Sequence, residues 1–169
     1  MATFTAGVFG NNLDQLDIGV LVLGQVSGAS TTSFAITIGP EVTNFSGSDF
    51  AFGANGFPTA GTINSVTETN NGQAVYAASG FSVPTTTFFG WVAVGDNEAA
   101  KSTIMAGSDL FTGSPLADLL RGYGGNDTIN AGEGANYIRG DDGDDLLTGG
   151  SGFDDINGNM GNAILHGND

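Results

Sequence analysis

The chain has no cysteine, only three lysine and arginine residues, and a single histidine among its 169 residues. The lack of cysteine excludes a disulfide framework and a zinc-thiolate site as substitutes for a hydrophobic core. The scarcity of basic side chains, against 18 acidic ones and a net charge of -15, excludes binding of nucleic acid or an anionic membrane through a basic surface. The same imbalance favours binding of cations through oxygen ligands.

Long apolar runs are also absent, and none approaches the roughly 20 residues that a membrane-spanning helix needs. Residues 1–10 lack the basic start and apolar centre of a cleaved signal peptide. The sequence therefore predicts no transmembrane segment, and export without an N-terminal signal peptide if the protein leaves the cell.

Combinations of residues that are typical of catalytic sites are scarce as well. A Ser-His-Asp arrangement would have to use His166, which lies near the end of the chain in a position expected to face outward. The carboxylate pairs Asp14 with Asp17 and Asp96 with Glu98 have nothing around them that forms a pocket, and we interpret them as a solvated loop and a helix cap. We therefore expect no catalytic residue and no enzymatic activity.

The composition changes near Thr103. Ten of the 12 phenylalanines and the only tryptophan precede this point, whereas glycine, aspartate and asparagine dominate after it. The first part carries a net charge of -6, and the shorter second part carries -9. This predicts two domains, a β domain over residues 1–103 and a different domain over residues 104–169.

The first part is typical of short strands separated by turns, which favours an all-β, small β-sandwich-like domain. Asn71-Gly72 predicts a tight hairpin, and Asn55-Gly56 predicts a second turn. Asp96 is a suitable N-cap for one short helix near residues 96–105 that links the two parts. Strands are predicted over residues 18–26, 31–39, 61–69, 73–79 and 85–94.

The aromatic residues of the first part allow two interpretations. They could line a groove for a ligand such as a carbohydrate, or they could form the core of a small domain with few leucines. We favour the core. The residues concerned are Phe34, Phe50, Phe52, Phe57, Phe81, Phe88, Phe89 and Trp91.

From Ile104 onward the sequence forms seven consecutive blocks of nine residues with no insertion. Position 4 is glycine in every block but the second, which has Leu116. Position 8 is always apolar, in the order Phe111, Leu120, Ile129, Ile138, Leu147, Ile156 and Leu165. Position 6 reads Asp109, Asp118, Asp127, Asn136, Asp145, Asp154 and Ala163.

These blocks resemble the glycine-rich nonapeptide Gly-Gly-x-Gly-x-Asp-x-apolar-x of the repeats-in-toxin (hemolysin-type) family, and GGSGFDDIN at residues 149–157 fits it best. The resemblance covers residues 104–169. It implies a parallel β-roll that binds several calcium ions.

The spacing gives a physical reason for this pattern. Each block supplies a turn of about six residues and a strand of about three, so two blocks complete one coil with position 8 inside. Coils stack about 4.8 Å apart, and an ion that takes oxygens at about 2.3 to 2.6 Å can bind between two stacked turns. Magnesium, which demands octahedral geometry and keeps its waters, fits less well.

Stacked turns lie two blocks apart, so the predicted ligands form two rows. We call them the first edge (Asp109, Asp127, Asp145) and the second edge (Asp118, Asn136, Asp154). The strongest sites are expected on the first edge. The neutral carbonyl oxygen of Asn136 predicts weaker sites on the second, and Ala163 offers no ligand to a further site. Without calcium, residues 104–169 are expected to be disordered, because stacked carboxylates repel and one apolar residue per block cannot offset the loss of chain entropy.

The resemblance implies an extracellular bacterial protein exported unfolded by a one-step, type I system. Proteins of this family usually continue into a capping segment, whereas the given sequence stops at Asp169, so it is either a fragment or has an open roll end. Our leading hypothesis is a structural subunit that self-assembles as a homo-oligomer or polymer, with the roll end of one molecule on the β domain of the next. The alternatives are a calcium-dependent folding and secretion module of an enzyme or toxin, and an adhesin that binds carbohydrate or a cell surface.

Overall fold

A computed structural model describes residues 1–167. The strands of the first part are β1 (Thr3–Ala6), β2 (Gln25–Ser27), β3 (Ser33–Ile38), β4 (Glu41–Phe52), β5 (Pro58–Asn70) and β6 (Gln73–Pro84). Two helices follow, α1 (Thr85–Val94) and α2 (Asn97–Ile104). The second part contains β7 (Leu110–Thr112), β8 (Leu119–Arg121), β9 (Thr128–Asn130), β10 (Tyr137–Arg139), β11 (Leu146–Thr148), β12 (Asp155–Asn157) and β13 (Ile164–His166).

Strands β2 to β6 form an antiparallel meander in which the predicted turns are confirmed. Asn71 and Gly72 join β5 to β6 with φ angles of 50° and 76°, as a tight hairpin requires. Gly56, with a φ of 80°, lies in the turn between β4 and β5. The predicted link is also confirmed, because α2 begins at Asn97 and the Asp96 side chain accepts a hydrogen bond from the Ala99 amide.

The prediction of a strand over residues 85–94 is wrong, because this segment is helix α1. Its β-branched and aromatic residues favour a strand, but Thr85, Phe88 and Val92 are spaced so that a helix buries all three on one face. Gly95 ends the helix in the left-handed conformation, with a φ of 66°. Packing against the sheet therefore overrides the local preference.

The strand predicted over residues 18–26 is also largely wrong. Residues Gly19–Leu23 form a 3-10 helix, and only the short β2 follows it. Ile18 and Leu21 are buried and lie three residues apart, which is the period of a 3-10 turn. Strand β4, in contrast, is a long central strand that the sequence patterns did not indicate.

The all-β class is confirmed, but the β-sandwich-like arrangement of the first part is not observed. Its strands all belong to one sheet, and α1 packs against β5 and β6 where a sandwich would have its second sheet. The aromatic residues fill the space between these layers: Phe34 stacks on Phe45 with ring centroids 4.6 Å apart, and Phe88 meets Phe45 edge to face. The interpretation of these side chains as core is therefore confirmed.

The second part is a parallel β-roll, as predicted. Strands β7, β9, β11 and β13 pair in parallel on one side of the coil, and β8, β10 and β12 pair in parallel on the other. The register places Phe111 beside Ile129 and Ile129 beside Leu147, one coil apart. These position 8 side chains are completely buried between the two sheets.

The roll continues directly into the sheet of the first part. Strand β1 pairs in parallel with β7 on one side and antiparallel with β6 on the other, so ten strands form one sheet ordered β13-β11-β9-β7-β1-β6-β5-β4-β3-β2. Phe4 lies beside Phe111, and Asn12 forms a parallel bridge with Leu119. Residues 2–13 thus form an additional coil that covers the first end of the roll.

Candidate metal centre

The position 6 side chains occupy equivalent places, each at the end of a turn and immediately before a strand. Five of them are buried, namely Asp109, Asp118, Asp127, Asn136 and Asp145. Asp154 is half-buried. Burial of so many carboxyl groups in one segment requires that each group find compensating partners.

One oxygen of each side chain is used to stack the coils. The Asp127 Oδ1 atom accepts a hydrogen bond of 2.8 Å from the Asp109 amide, and the Asp145 Oδ1 atom accepts one of 2.9 Å from the Asp127 amide. On the second edge, Asn136 and Asp154 accept in the same way from the position 6 amide one coil earlier. These hydrogen bonds fix each position 6 side chain to the backbone of the preceding coil.

The other carboxylate oxygen has no such partner in four of the turns. The Oδ2 atoms in these four turns, which belong to Asp109, Asp127, Asp145 and Asp154, are buried, and within residues 1–167 no hydrogen-bond donor reaches them. A buried carboxylate oxygen without a donor or cation costs free energy, so these atoms mark places that suit a bound cation.

The glycines at position 1 leave room beside these oxygens. A Cβ atom placed on Gly122 would lie 2.2 Å from the Asp127 Oδ2 atom and 2.6 Å from the Gly140 carbonyl oxygen of the next coil. A Cβ atom on Gly140 would lie 2.1 Å from the Asp145 Oδ2 atom. Glycine therefore lets a carboxylate oxygen and a backbone carbonyl of the next coil approach the same point, as a calcium site built partly from backbone oxygens requires.

The described residues contain no group of three or more His, Cys, Asp or Glu side chains that could hold a metal ion. Each turn of the first edge supplies one buried carboxylate, that of its position 6 aspartate, so any calcium site here must draw on backbone carbonyls for its remaining ligands. Bound calcium would neutralise the buried carboxylates and join successive turns. The buried Oδ2 atoms of Asp109, Asp127, Asp145 and Asp154 would be its carboxylate ligands.

Two predicted ligands have protein partners instead. The Asp118 Oδ2 atom accepts from both the amide and the hydroxyl group of Ser114, at 2.6 Å and 2.9 Å. The Asn136 side-chain nitrogen donates to the carbonyl oxygens of Glu133 and Gly149, both at 3.4 Å, and to an Asp154 oxygen at 3.0 Å. Ser114 stands at position 2, where the nonapeptide pattern has glycine, so the pattern does not indicate its role.

The additional coil at the start of the chain was not predicted. The Ala2 amide donates to an Asp109 oxygen at 2.5 Å, and the Asn11 amide donates to an Asp118 oxygen at 2.6 Å. Ala2 and Asn11 therefore take the place of position 6 residues. The available signal was the spacing of nine between Phe4 and Leu13, which lie in the position 8 places of this coil.

The protonation of the first edge depends on burial. Burial is the main reason that the pKa of Asp127 is raised from 3.8 to about 7, against the opposing effect of the hydrogen bond from the Asp109 amide. Burial likewise raises the pKa of Asp145. In the absence of calcium, the fold therefore favours the protonated carboxyl groups.

This shift predicts a pH dependence for the calcium-free protein. A folded-state pKa above the unfolded value contributes stability at low pH, and this contribution is lost as the pH rises through about 7. Chelator-treated protein is therefore expected to gain β-strand circular dichroism when the pH is lowered from about 8 to about 5. The variant Asp127→Asn should show a smaller gain, and a loss of strand signal on acidification would contradict the prediction.

No helix among the described residues is long and apolar enough to cross a membrane.

The second part of the chain matches the model of a known repeat family. The model of the RTX calcium-binding nonapeptide repeat matches residues 105–138, 112–147 and 139–169. No curated protein and no solved structure matches the chain significantly. This repeat is typical of secreted bacterial proteins. With seven blocks in register, a two-sheet parallel roll and buried carboxylate oxygens directed into its turns, residues 105–169 have the sequence and the fold of the RTX calcium-binding nonapeptide repeat whose model they match.

Proposed function

We propose that this protein is an extracellular, calcium-binding structural subunit that assembles end to end, with the last coil of one molecule against the β2 end of the next. The observation that carries this proposal is that, among the described residues, each free end of the ten-stranded sheet combines a strand paired on one side only with exposed apolar side chains. Such a contact joins two different surfaces of the same molecule, and repetition of it generates a filament.

The first of these ends is the last coil of the roll. Leu165 occupies position 8, the position at which Leu147 is fully buried, yet the relative exposure of Leu165 is 48%. Ile164 and Met160 beside it are also exposed. Strand β13 has a neighbour on one side only among the described residues. Burial of this surface would release water from apolar groups and pair the free backbone of β13.

The second end is strand β2 with the 3-10 helix that precedes it. Strand β2 is the other terminal strand of the ten-stranded sheet, and Val22 and Leu23 next to it are exposed, Leu23 by 78%. Residues 18–40 contain no charged side chain. Natural edge strands are usually protected by short length, charged residues, proline or bulges, and β2, which is three residues long, has only the first of these protections.

Charge favours assembly only when calcium is bound. The net charge of -15 opposes close approach of two copies, and the seventh block is the only one of the seven that contains no acidic residue. Calcium on the roll would reduce the repulsion and order the last coil, so assembly should require it. In this proposal, a type I system exports the chain unfolded, and the roll folds on meeting millimolar calcium outside the cell.

The test uses the full chain in a few millimolar calcium, with light scattering to measure the molar mass. Wild-type protein is expected to form species whose mass rises with concentration, and chelation should dissociate them. Leu165→Asp and Leu23→Asp should each be monomeric, because each variant loses one of the two surfaces. An equimolar mixture of the two variants should form dimers, since one intact surface of each kind remains.

Leu116→Asp is the matched control, because Leu116 is exposed in a turn of the roll, away from both ends, and this variant should assemble as the wild type does. Circular dichroism in calcium must show that all variants are folded. Wild-type protein that stays monomeric at high concentration in calcium would overturn the proposal. That outcome would favour a calcium-dependent folding and secretion module in which other residues cover Leu165.

A further inference from the structure

We infer that the two edges of the roll differ in kind: calcium binds along the first edge, beside Asp109, Asp127 and Asp145, whereas hydrogen bonds within the protein replace it at Asp118 and Asn136 on the second edge. The inference rests on calcium binding by the repeats and does not depend on assembly. It assigns to Ser114 and to the Asn136 amide group the role that an ion has in the turns of the first edge.

At Asp118, both carboxylate oxygens already have donors. The Oδ1 atom accepts from the Asn11 amide at 2.6 Å, and the Oδ2 atom accepts from the amide and hydroxyl group of Ser114 at 2.6 Å and 2.9 Å. Hydrogen bonds to a charged acceptor are among the stronger ones in proteins. This carboxylate is thus compensated without an ion.

The local sequence explains why this turn closes on itself. Pro115 stands at the variable position 3, and Leu116 replaces the glycine of position 4. The Ser114 hydroxyl group also accepts a hydrogen bond from the Leu116 amide at 3.1 Å. These contacts hold the Ser114 hydroxyl group beside Asp118.

At Asn136, the orientation of the amide is fixed by its neighbours. The Oδ1 atom must face the Asp118 amide, from which it accepts at 2.9 Å, because a side-chain nitrogen there would place two donors together. The nitrogen atom is therefore directed into the turn, where it donates to the carbonyl oxygens of Glu133 and Gly149. It also donates to an Asp154 oxygen.

The two edges place opposite kinds of atom at equivalent points. On the second edge, a nitrogen donor of Asn136 faces converging carbonyl oxygens. On the first edge, the equivalent atoms are the Oδ2 oxygens of Asp127 and Asp145, which have no donor among the described residues. Oxygens that converge without a donor favour a cation, whereas a donor at the same point makes a cation unnecessary and repels it.

The members of the second edge also differ from one another in whether a carboxylate oxygen lacks a donor. Asp154 retains a buried Oδ2 atom without a donor within residues 1–167, so it is the one member of this edge with an available carboxylate oxygen. The sequence had predicted weak calcium sites along the whole of this edge. The structure supports the absence of a site at its first two members.

The test is calcium titration of the chelator-stripped full chain by isothermal calorimetry, with bound ions counted by equilibrium dialysis. Asp127→Asn is expected to lower the number of bound ions by about one or more. Asp118→Asn should leave the number unchanged while lowering the thermal midpoint in calcium, since the Ser114 amide loses its acceptor. Asn136→Asp should raise the number by about one, because it recreates the oxygen arrangement of the first edge.

Circular dichroism in saturating calcium verifies that each variant is folded before its ions are counted. Loss of calcium in Asp118→Asn equal to the loss in Asp127→Asn would overturn the inference. So would a folded Asn136→Asp variant that binds no additional ion, and this second variant keeps the test decisive if Asp118→Asn does not fold. Assembly is measured separately by light scattering. Failure of the assembly proposal can therefore be distinguished from failure of the inference about the two edges.

Discussion

Removal of calcium is expected to unfold the roll beyond its first coils, residues 122–166, while the meander β3 to β6 stays folded. Above a pH of about 7, the Oδ2 atoms of Asp127 and Asp145 would then be buried without a cation, and the two carboxylates would repel each other across adjacent coils. Hydrogen bonds on the second edge cannot preserve the roll alone, because both sheets share a single apolar interior. The meander is held instead by aromatic contacts with α1, such as those among Phe34, Phe45 and Phe88, and these contacts do not involve the position 6 carboxylates.

Hydrogen exchange measured by mass spectrometry, with and without a chelator, tests this expectation. A ligand at a hundred times its dissociation constant stabilises the folded state by about 2.7 kcal/mol, so amide exchange in β9 and β11 should accelerate by about 100-fold or more on chelation. Amides of β4 and β5 should exchange at unchanged rates. Magnesium in place of calcium should fail to restore protection, and unaltered protection of β9 and β11 after chelation would contradict the prediction.

Phe111→Ala is expected to have the largest effect of any single substitution in the roll, a loss of about 3–5 kcal/mol in the free energy of unfolding. The Phe111 side chain is completely buried and contacts the Phe4 ring, with centroids 6.0 Å apart. It thus joins the additional coil of residues 2–13 to the interior of the roll. Its removal leaves a cavity where the two parts of the chain meet.

Phe153→Ala is the matched control, because Phe153 is also in the repeats but has 83% of its side chain exposed. It should change the free energy of unfolding by no more than about 0.5 kcal/mol. Urea denaturation in saturating calcium measures both variants. Equal effects of the two substitutions would show that Phe111 does not connect the parts as described.

The repeats are the part of this fold that the sequence predicts best. A strict period of nine places the apolar position 8 residues in one file, and two blocks per coil determine which residues stack. In such a solenoid every contact lies at a fixed sequence separation, so a local pattern contains nearly all the topological information. The hairpin at Asn71-Gly72 and the helix cap at Asp96 were predictable for a similar reason, because each depends on a few adjacent residues.

The errors occurred where distant contacts decide the conformation. Residues 85–94 have strand-forming composition, yet the face of the sheet formed by β5 and β6 is covered by a helix. The additional coil was missed because residues 2–13 show only two of the repeat's spacings and no glycine-aspartate pattern. Its place on the roll is set by pairing with β7, more than a hundred residues later in the chain.

The sequence by itself determined the parallel roll, its two edges and its preference for calcium, because periodicity and oxygen-bearing side chains specify these properties locally. Only the tertiary structure decided which carboxylates remain available to an ion. The Ser114 hydroxyl group and the Asn136 side-chain nitrogen reach their acceptors through contacts that depend on the exact path of the backbone. Whether a turn holds such a donor or leaves a carboxylate oxygen open to calcium depends on the position of this one atom. The tertiary structure also decided that roll and β domain share one continuous sheet, since β1 must pair with strands from both.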